Sequence, residues 1–312
     1  MLTPPQLTVL SRNIYINRGG AGLVIYRVNE SAANSWVQLG DFSYPSFAPW
    51  PQDPDLRLCY FAFEDSLPPQ TPAFLYGEDG AGAQVRQALP VQVRWRNFSR
   101  DSIKLSDSFL RLAAAKADGQ GTAPFRSDLD AFQWINETLR ARSAEIIGQA
   151  IGYSESRQLW RGAFLRPPGK VMSNFIEQRT YFYKDADVGS STHYGLDLAD
   201  VANTPIRASA DGRVVFAAEA GVYGNCVIID HGLNLFTLYA HLSAFEAAAG
   251  DSVTMGQRIG LSGSTGFSFG DHLHFSCMIG GAFVTPYEWW DPKWIEDNVE
   301  LRFKEAGVAP PH

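Results

Sequence analysis

The 312-residue chain is short of the residues that staple small proteins or hold metals through sulfur, with three cysteines and no Cys-x-x-Cys spacing. Cys59, Cys226 and Cys277 cannot all pair within one chain, which excludes a disulfide scaffold and a four-cysteine zinc site and leaves room for one disulfide at most. Buried free thiols are the default, and Cys277 is expected in the wall of the site and not as a ligand. No apolar run is long enough to span a bilayer, and residues 1–12 lack the basic start and apolar core of a signal peptide. Basic charge is not in surplus either. Residues 1–165 carry 16 basic and 16 acidic side chains and residues 166–312 carry 10 and 17, for a net charge of −7. That balance argues against a phosphate-neutralising nucleic-acid surface. His-Glu-x-x-His is also missing, which removes the common helical zinc-protease geometry.

Histidine is scarce, at six residues, yet four of them fall in strand-like segments. In His272-Leu273-His274-Phe275 the alternation of a strand would turn both imidazoles to one face and Leu273 and Phe275 to the other. His193 and Asp197, four residues apart with Leu196 and Leu198 alternating, repeat the same logic, and Tyr239-Ala240-His241-Leu242 is a third element. His231 and His312 lie outside the set. Two imidazoles on one face can hold or serve a metal, and clustered histidines need shared partners.

His-x-x-x-Asp, Tyr-Ala-His and His-Leu-His, in this order within glycine-rich β sequence, resemble the M23 (lysostaphin/LytM-type) zinc metallopeptidases. The likeness runs from about Gly169 to Asp291, through stretches such as Gly195-Leu-Asp-Leu-Ala199, Tyr223-Gly-Asn225 and Ile229-Asp-His-Gly232. It implies that His193, Asp197 and His274 hold one zinc ion and that His241 and His272 are catalytic imidazoles that do not bind it. Three protein ligands leave an open tetrahedral position, as in catalytic zinc sites, with a zinc-bound water expected as the nucleophile. Either His241 or His272 can be general base or stabiliser of the tetrahedral oxyanion. The implied activity is hydrolysis of cross-link or stem peptides in bacterial peptidoglycan, with the scissile bond open and a lean toward a direct cross-link. That substrate implies work in the periplasm, the cell envelope or outside the cell, with an export signal or anchor trimmed from this sequence or another export route. One departure stands out: Ile176 occupies a position where the family commonly has glycine.

Other readings of these residues remain open. Thr265, Ser268 and Asp271 could support the histidines from behind or could simply shape a turn. Tyr194, Trp289 and Trp290 could line a groove or pack the core. Gly266-Phe-Ser-Phe-Gly270 matches the Gly-x-Ser-x-Gly elbow of serine hydrolases, but the residues after Ser268 alternate like a strand where that elbow needs a helix. A non-enzymatic relative that regulates other wall hydrolases is the remaining alternative; the complete ligand set favours an enzyme.

The expected fold is mainly β, with a β-sandwich-like N-terminal domain over residues 1–100, a helical connector over 101–164 and an antiparallel LytM-like peptidase domain over 165–312. Leu23–Val28, Ala73–Tyr76 and Val91–Arg96 read as strands between turn residues, the last with Val91, Val93 and Trp95 on its packed face. Ser106–Ala117 and Ser127–Gln149 read as helices separated by Gly119–Pro124, the second opening at Ser127. This connector could also gate access to the site, and the N-terminal half could regulate the enzyme from within the chain.

Overall fold

Alternating apolar residues build two antiparallel sheets in the N-terminal part. Leu7–Val9, Gly20–Val28 and Leu56–Phe63 form one, and Phe42–Pro45, Ala32–Leu39, Ala73–Asp79 and Gln84–Ala88 the other. Ala73–Asp79 alternates between buried and half-buried residues, as a strand with one packed face should, whereas Leu56–Phe63 is buried along almost its whole length. The computed structural model describes residues 4–29, 32–118 and 125–312. In Val91–Arg94, which pairs in parallel with Ile14–Asn17, the valines are half-buried and Gln92 and Arg94 exposed. Trp95 departs from expectation at 41% exposure, because the strand ends at Arg94 and the ring lies under the Arg18 guanidinium, 4.1 Å away.

Both expected helices are present, as Asp107–Asp118 and a continuous helical rod over 128–150. Ser127 caps the rod by accepting the Asp130 N–H. Its middle turn, Ile135–Leu139, is wound as a π-helix, a feature the apolar spacing did not signal. The separator Gly119–Pro124 lies outside the described residues. Leu110, Phe132 and Ile135 pack the helices onto Tyr181 and Val188 of a three-stranded sheet. That sheet joins Arg100–Lys104, parallel, to Glu177–Tyr183, which pairs antiparallel with Ala186–His193.

The largest sheet is antiparallel, as expected for the C-terminal part. Its strand Leu273–Ile279, buried throughout, lies between Leu196–Ala199 and Leu235–Ala240. The register puts His274 opposite Asp197 on one side and Ala240 on the other. Leu273, Phe275 and Cys277 face the core while His274 and Ser276 face away, so Cys277 belongs to the core and not to the wall of the site. All three cysteines are buried and unpaired, so the single disulfide left open does not form.

The N- and C-terminal parts share one apolar core, in which the Tyr60 and Trp289 rings lie 6.2 Å apart. At this contact Glu288 accepts hydrogen bonds from Asn17 Nδ2 (2.7 Å) and the Ala21 N–H (2.9 Å). Gly20 permits the approach, because a Cβ there would collide with the Glu288 carboxylate. Among the described residues no helix is long and apolar enough to cross a membrane.

Candidate metal centre

His193 ends Ala186–His193 and Asp197 lies in Leu196–Ala199, so their four-residue spacing spans a change of sheet and not one strand face as expected. The chain turns between them at Tyr194 and Gly195. Glycine is needed there, since a Cβ would stand 2.5 Å from the His274 ring. His193 Nε2 lies 2.9 Å from Asp197 Oδ1 and 3.0 Å from His274 Nδ1, which is itself 3.0 Å from the same carboxylate oxygen. These three side chains form a cluster able to hold a metal.

The outer nitrogens decide what the inner ones can do. His193 Nδ1 lies 2.9 Å from the Asn174 carbonyl, which only accepts, so that nitrogen carries the ring proton. His274 Nε2 lies 3.1 Å from Ser276 Oγ, whose own hydrogen goes to the Tyr194 carbonyl at 2.7 Å, so this nitrogen donates too. In neutral rings, His193 Nε2 and His274 Nδ1 are then bare lone pairs facing each other beside a carboxylate. Such a trio is stable only around a positive centre, and burial lowers the His274 pKa to about 4, against a proton there at neutral pH. The edges of 2.9–3.0 Å are close to the ~3.3 Å that tetrahedral bonds of about 2.0–2.1 Å impose on zinc ligands. The donor set therefore fits zinc. Burial disfavours charge on Asp197, yet the three imidazoles gathered around it, His193, His272 and His274, outweigh it and hold its carboxyl well below the usual range.

His241 follows the strand Leu235–Ala240 instead of lying within it as expected, and its φ of +63° is unusual for a residue with a Cβ. It donates from Nδ1 to the Thr265 carbonyl at 2.9 Å, and burial lowers its pKa to about 3, leaving Nε2 unprotonated. His272 lies one residue before its strand, in an isolated bridge to Gly263. Its Nδ1 donates to the Gly270 carbonyl at 2.9 Å and its Nε2 lies 3.5 Å from Asp197 Oδ1. Burial opposes charge on His272, but the Asp197 carboxylate outweighs it and raises the pKa. The two rings stand 4.8 Å apart, one held neutral and the other biased toward its proton.

All five residues line a cleft of about 290 Å³, together with Tyr194, Tyr223, Phe109 and Phe269. Tyr194 is therefore a groove residue, but Trp289 and Trp290 are not. Trp289 is fully buried, and Trp290 packs on Phe275 at 5.4 Å, because the helix Pro286–Trp290 turns both back toward the core. The expected supports behind the histidines are mostly main-chain carbonyls. Thr265 holds His241 through its carbonyl, while its hydroxyl bridges Asn225 and Leu242. Asp271 ties Ser262 to Asn203. Ser268 is buried, donates to the Gly270 carbonyl and is followed by a turn and a strand, not a helix. The nearest imidazole nitrogen, His272 Nδ1 at 3.3 Å, already carries the proton it gives Gly270, so no base serves Ser268 as a nucleophile.

Ile176, at the position of the family glycine, is buried with a φ of +56° and donates its N–H to the His193 carbonyl at 2.8 Å. The turn needs the left-handed conformation that glycine adopts freely, and here a β-branched residue is held in it by packing. Sequence reading missed Asn174 and Ser276, the partners of the ligand histidines, and gave no role to Tyr223, whose pKa burial raises to about 12. Only Ser276, two residues after His274 on the same strand face, carried a positional signal.

Residues 191–286 match the Peptidase family M23 profile. The chain is 51% identical over 94 residues to the DD-carboxypeptidase/endopeptidase Mpg of Neisseria meningitidis serogroup B, covering 30% of this chain and 22% of the relative. It is 36% identical over 189 residues to the peptidoglycan DD-endopeptidase ShyA of Vibrio cholerae, covering 59% of this chain and 43% of the relative. The matched stretch is thus less than half the length of either relative. A crystal structure described as peptidase M23 from Pseudomonas aeruginosa superposes with a TM-score of 0.51, at 19% identity, over 86% of this chain and 92% of that one. That likeness concerns the fold alone.

Proposed function

We propose, from the premise that residues 191–286 are a Peptidase family M23 domain, that this chain is a zinc endopeptidase acting on the peptides of bacterial peptidoglycan. The observation that carries this reading is the pair of imidazole lone pairs, 3.0 Å apart beside Asp197, whose outer nitrogens are both committed as donors. His193, Asp197 and His274 would hold the ion. When bound, zinc supplies a Lewis acid that polarises a carbonyl and acidifies water.

The remaining chemistry belongs to the chain. His241, neutral with Nε2 free, is suited to accept a proton, and His272, whose pKa Asp197 raises, is suited to carry one to the leaving amine. Tyr223 keeps its phenol proton at neutral pH and can donate a hydrogen bond to a developing oxyanion. The name of the Vibrio cholerae relative, a peptidoglycan DD-endopeptidase, supports peptidoglycan as the substrate, which implies action in the envelope or outside the cell. Contacts of Phe109 with Phe267 and Phe269 favour a role for the helix Asp107–Asp118 in limiting access to the cleft.

The test is release of peptides from purified sacculi by the zinc-loaded native chain and by His272→Ala. Release by the native protein and a loss of about 10²–10⁴-fold in the variant, with zinc retained, is the expected result. Zinc binding without release by the native protein would instead point to a regulator of other hydrolases.

A further inference from the structure

Two arginines line the metal cleft, and they differ in what they face. Arg179 is paired with Glu177 at 2.8 Å and donates to Ser173 Oγ at 2.9 Å, so its charge is answered within the protein. Among the described residues the Arg140 side chain makes one hydrogen bond, from Nε to Asn136 Oδ1 at 3.1 Å, and no carboxylate pairs with it. Asn136 is 7% exposed and donates in turn to the Ser190 carbonyl at 2.9 Å. The stem of the guanidinium is thus braced from behind while its two terminal nitrogens stay unengaged.

The backbone delivers this residue deliberately. Arg140 follows directly on the π-wound turn Ile135–Leu139, and such turns recur at functional sites because they re-aim the side chains next to them. It also lines a second cavity of about 340 Å³, walled by Ile147, Ile151 and Phe283, that shares Tyr194 and Tyr223 with the metal cleft. An uncompensated, pre-positioned fork of N–H donors at the junction of a metal cleft and an apolar pocket matches a carboxylate on an aliphatic stem.

We propose that Arg140 is the residue through which the cleft selects its substrate, by a paired hydrogen bond to a carboxylate of the peptide, so that acidic cross-links are cleaved in preference to uncharged glycine bridges. This rests on the hydrolytic reading above and names its substrate class. The carboxylate is either the one on a diamino acid or the free end of a stem peptide.

The experiment uses the zinc-loaded full chain and a synthetic cross-link joining D-alanine to the side-chain amine of a diamino acid. It is made as the free acid, with the diamino-acid carboxylate amidated, and with the terminal carboxylate amidated; pentaglycine is the uncharged probe. The native chain should favour the free acid by tenfold or more in kcat/KM, and the amidation that removes the preference identifies the carboxylate. Arg140→Ala should lose roughly tenfold to a hundredfold on the free acid, chiefly in KM, and treat acid and amide alike. Arg140→Lys, which keeps the charge without the fork, should recover part of the loss. Equal cleavage of acid, amides and pentaglycine by the native chain overturns the proposal, as does a fall in Arg140→Ala that is the same for acid and amide. If the native chain cleaves none of these, the hydrolytic reading fails. Calorimetry then decides for Arg140 alone: tighter binding of the acid than of either amide, lost in Arg140→Ala, supports it, and no difference overturns it.

Discussion

Two histidine regions lie at opposite ends of the strand Leu235–Ala240 and solve the same problem in opposite ways. His231 donates or accepts at both nitrogens within the protein, 2.8 Å from the Asp211 carbonyl and 2.8 Å from Thr237 Oγ1, and burial lowers its pKa to about 4. At the other end of the strand Leu235–Ala240, His193 and His274 are satisfied only on their outer nitrogens and turn the inner pair toward each other. Burial alone therefore does not mark a functional histidine. At His231 both nitrogens are answered within the protein fabric, away from any cleft, whereas rings left with facing lone pairs call for a cation.

The comparison breaks first at the ligands. Replacing His193 or His274 by alanine should abolish stoichiometric zinc and measurable peptide release, whereas His231→Ala should keep the zinc. Metal analysis of the purified variants reads both, and retention of zinc by His193→Ala would erase the distinction. The cost at His231 should fall on stability, at about 2–4 kcal/mol in denaturant unfolding, from the cavity and two stranded polar groups.

A buried acid extends the contrast to pH. Burial raises the Glu288 pKa to about 7 despite its bonds to Asn17 and Ala21. Its folded pKa lies above the unfolded value of 4.5, so its stabilising contribution is complete below that pH and is lost as pH rises through about 7. At 1.36 kcal/mol per pKa unit the loss is roughly 3 kcal/mol at most. Glu288→Gln should flatten the stability curve across this window, and an unchanged slope would assign the pH dependence elsewhere. The smallest effect is at Ser276: removing its hydroxyl should weaken zinc binding by about 10–100-fold, without unfolding, by freeing the His274 tautomer. A chelator competition series measures it.

Much of the site could be read from the sequence because a metal site needs particular residue types. The five residues His193, Asp197, His241, His272 and His274 were singled out by type and spacing, and the structure brings them around one cleft. What failed was local geometry. The change of sheet at Gly195 and the left-handed turn at His241 are set by packing between distant strands, which spacing does not report. Their supports, the carbonyls of Asn174, Thr265 and Gly270, could not be read at all, since every residue has a carbonyl. Trp289 and Trp290 were ambiguous for a related reason, because an aromatic residue is as much at home in a core as in a groove. Arg140 was invisible because the role proposed for it comes from a π-turn and from its having no acidic partner among the described residues.

X-ray absorption at the zinc edge, on the native chain loaded with one equivalent of metal, reads the ligand set itself. Two imidazole nitrogens and oxygen ligands, with no sulfur, are expected at about 2.0–2.2 Å. The imidazole signal should be lost when His193 and His274 are both replaced. A spectrum containing thiolate, or one unchanged in the double variant, would contradict the assignment of this trio as the metal centre.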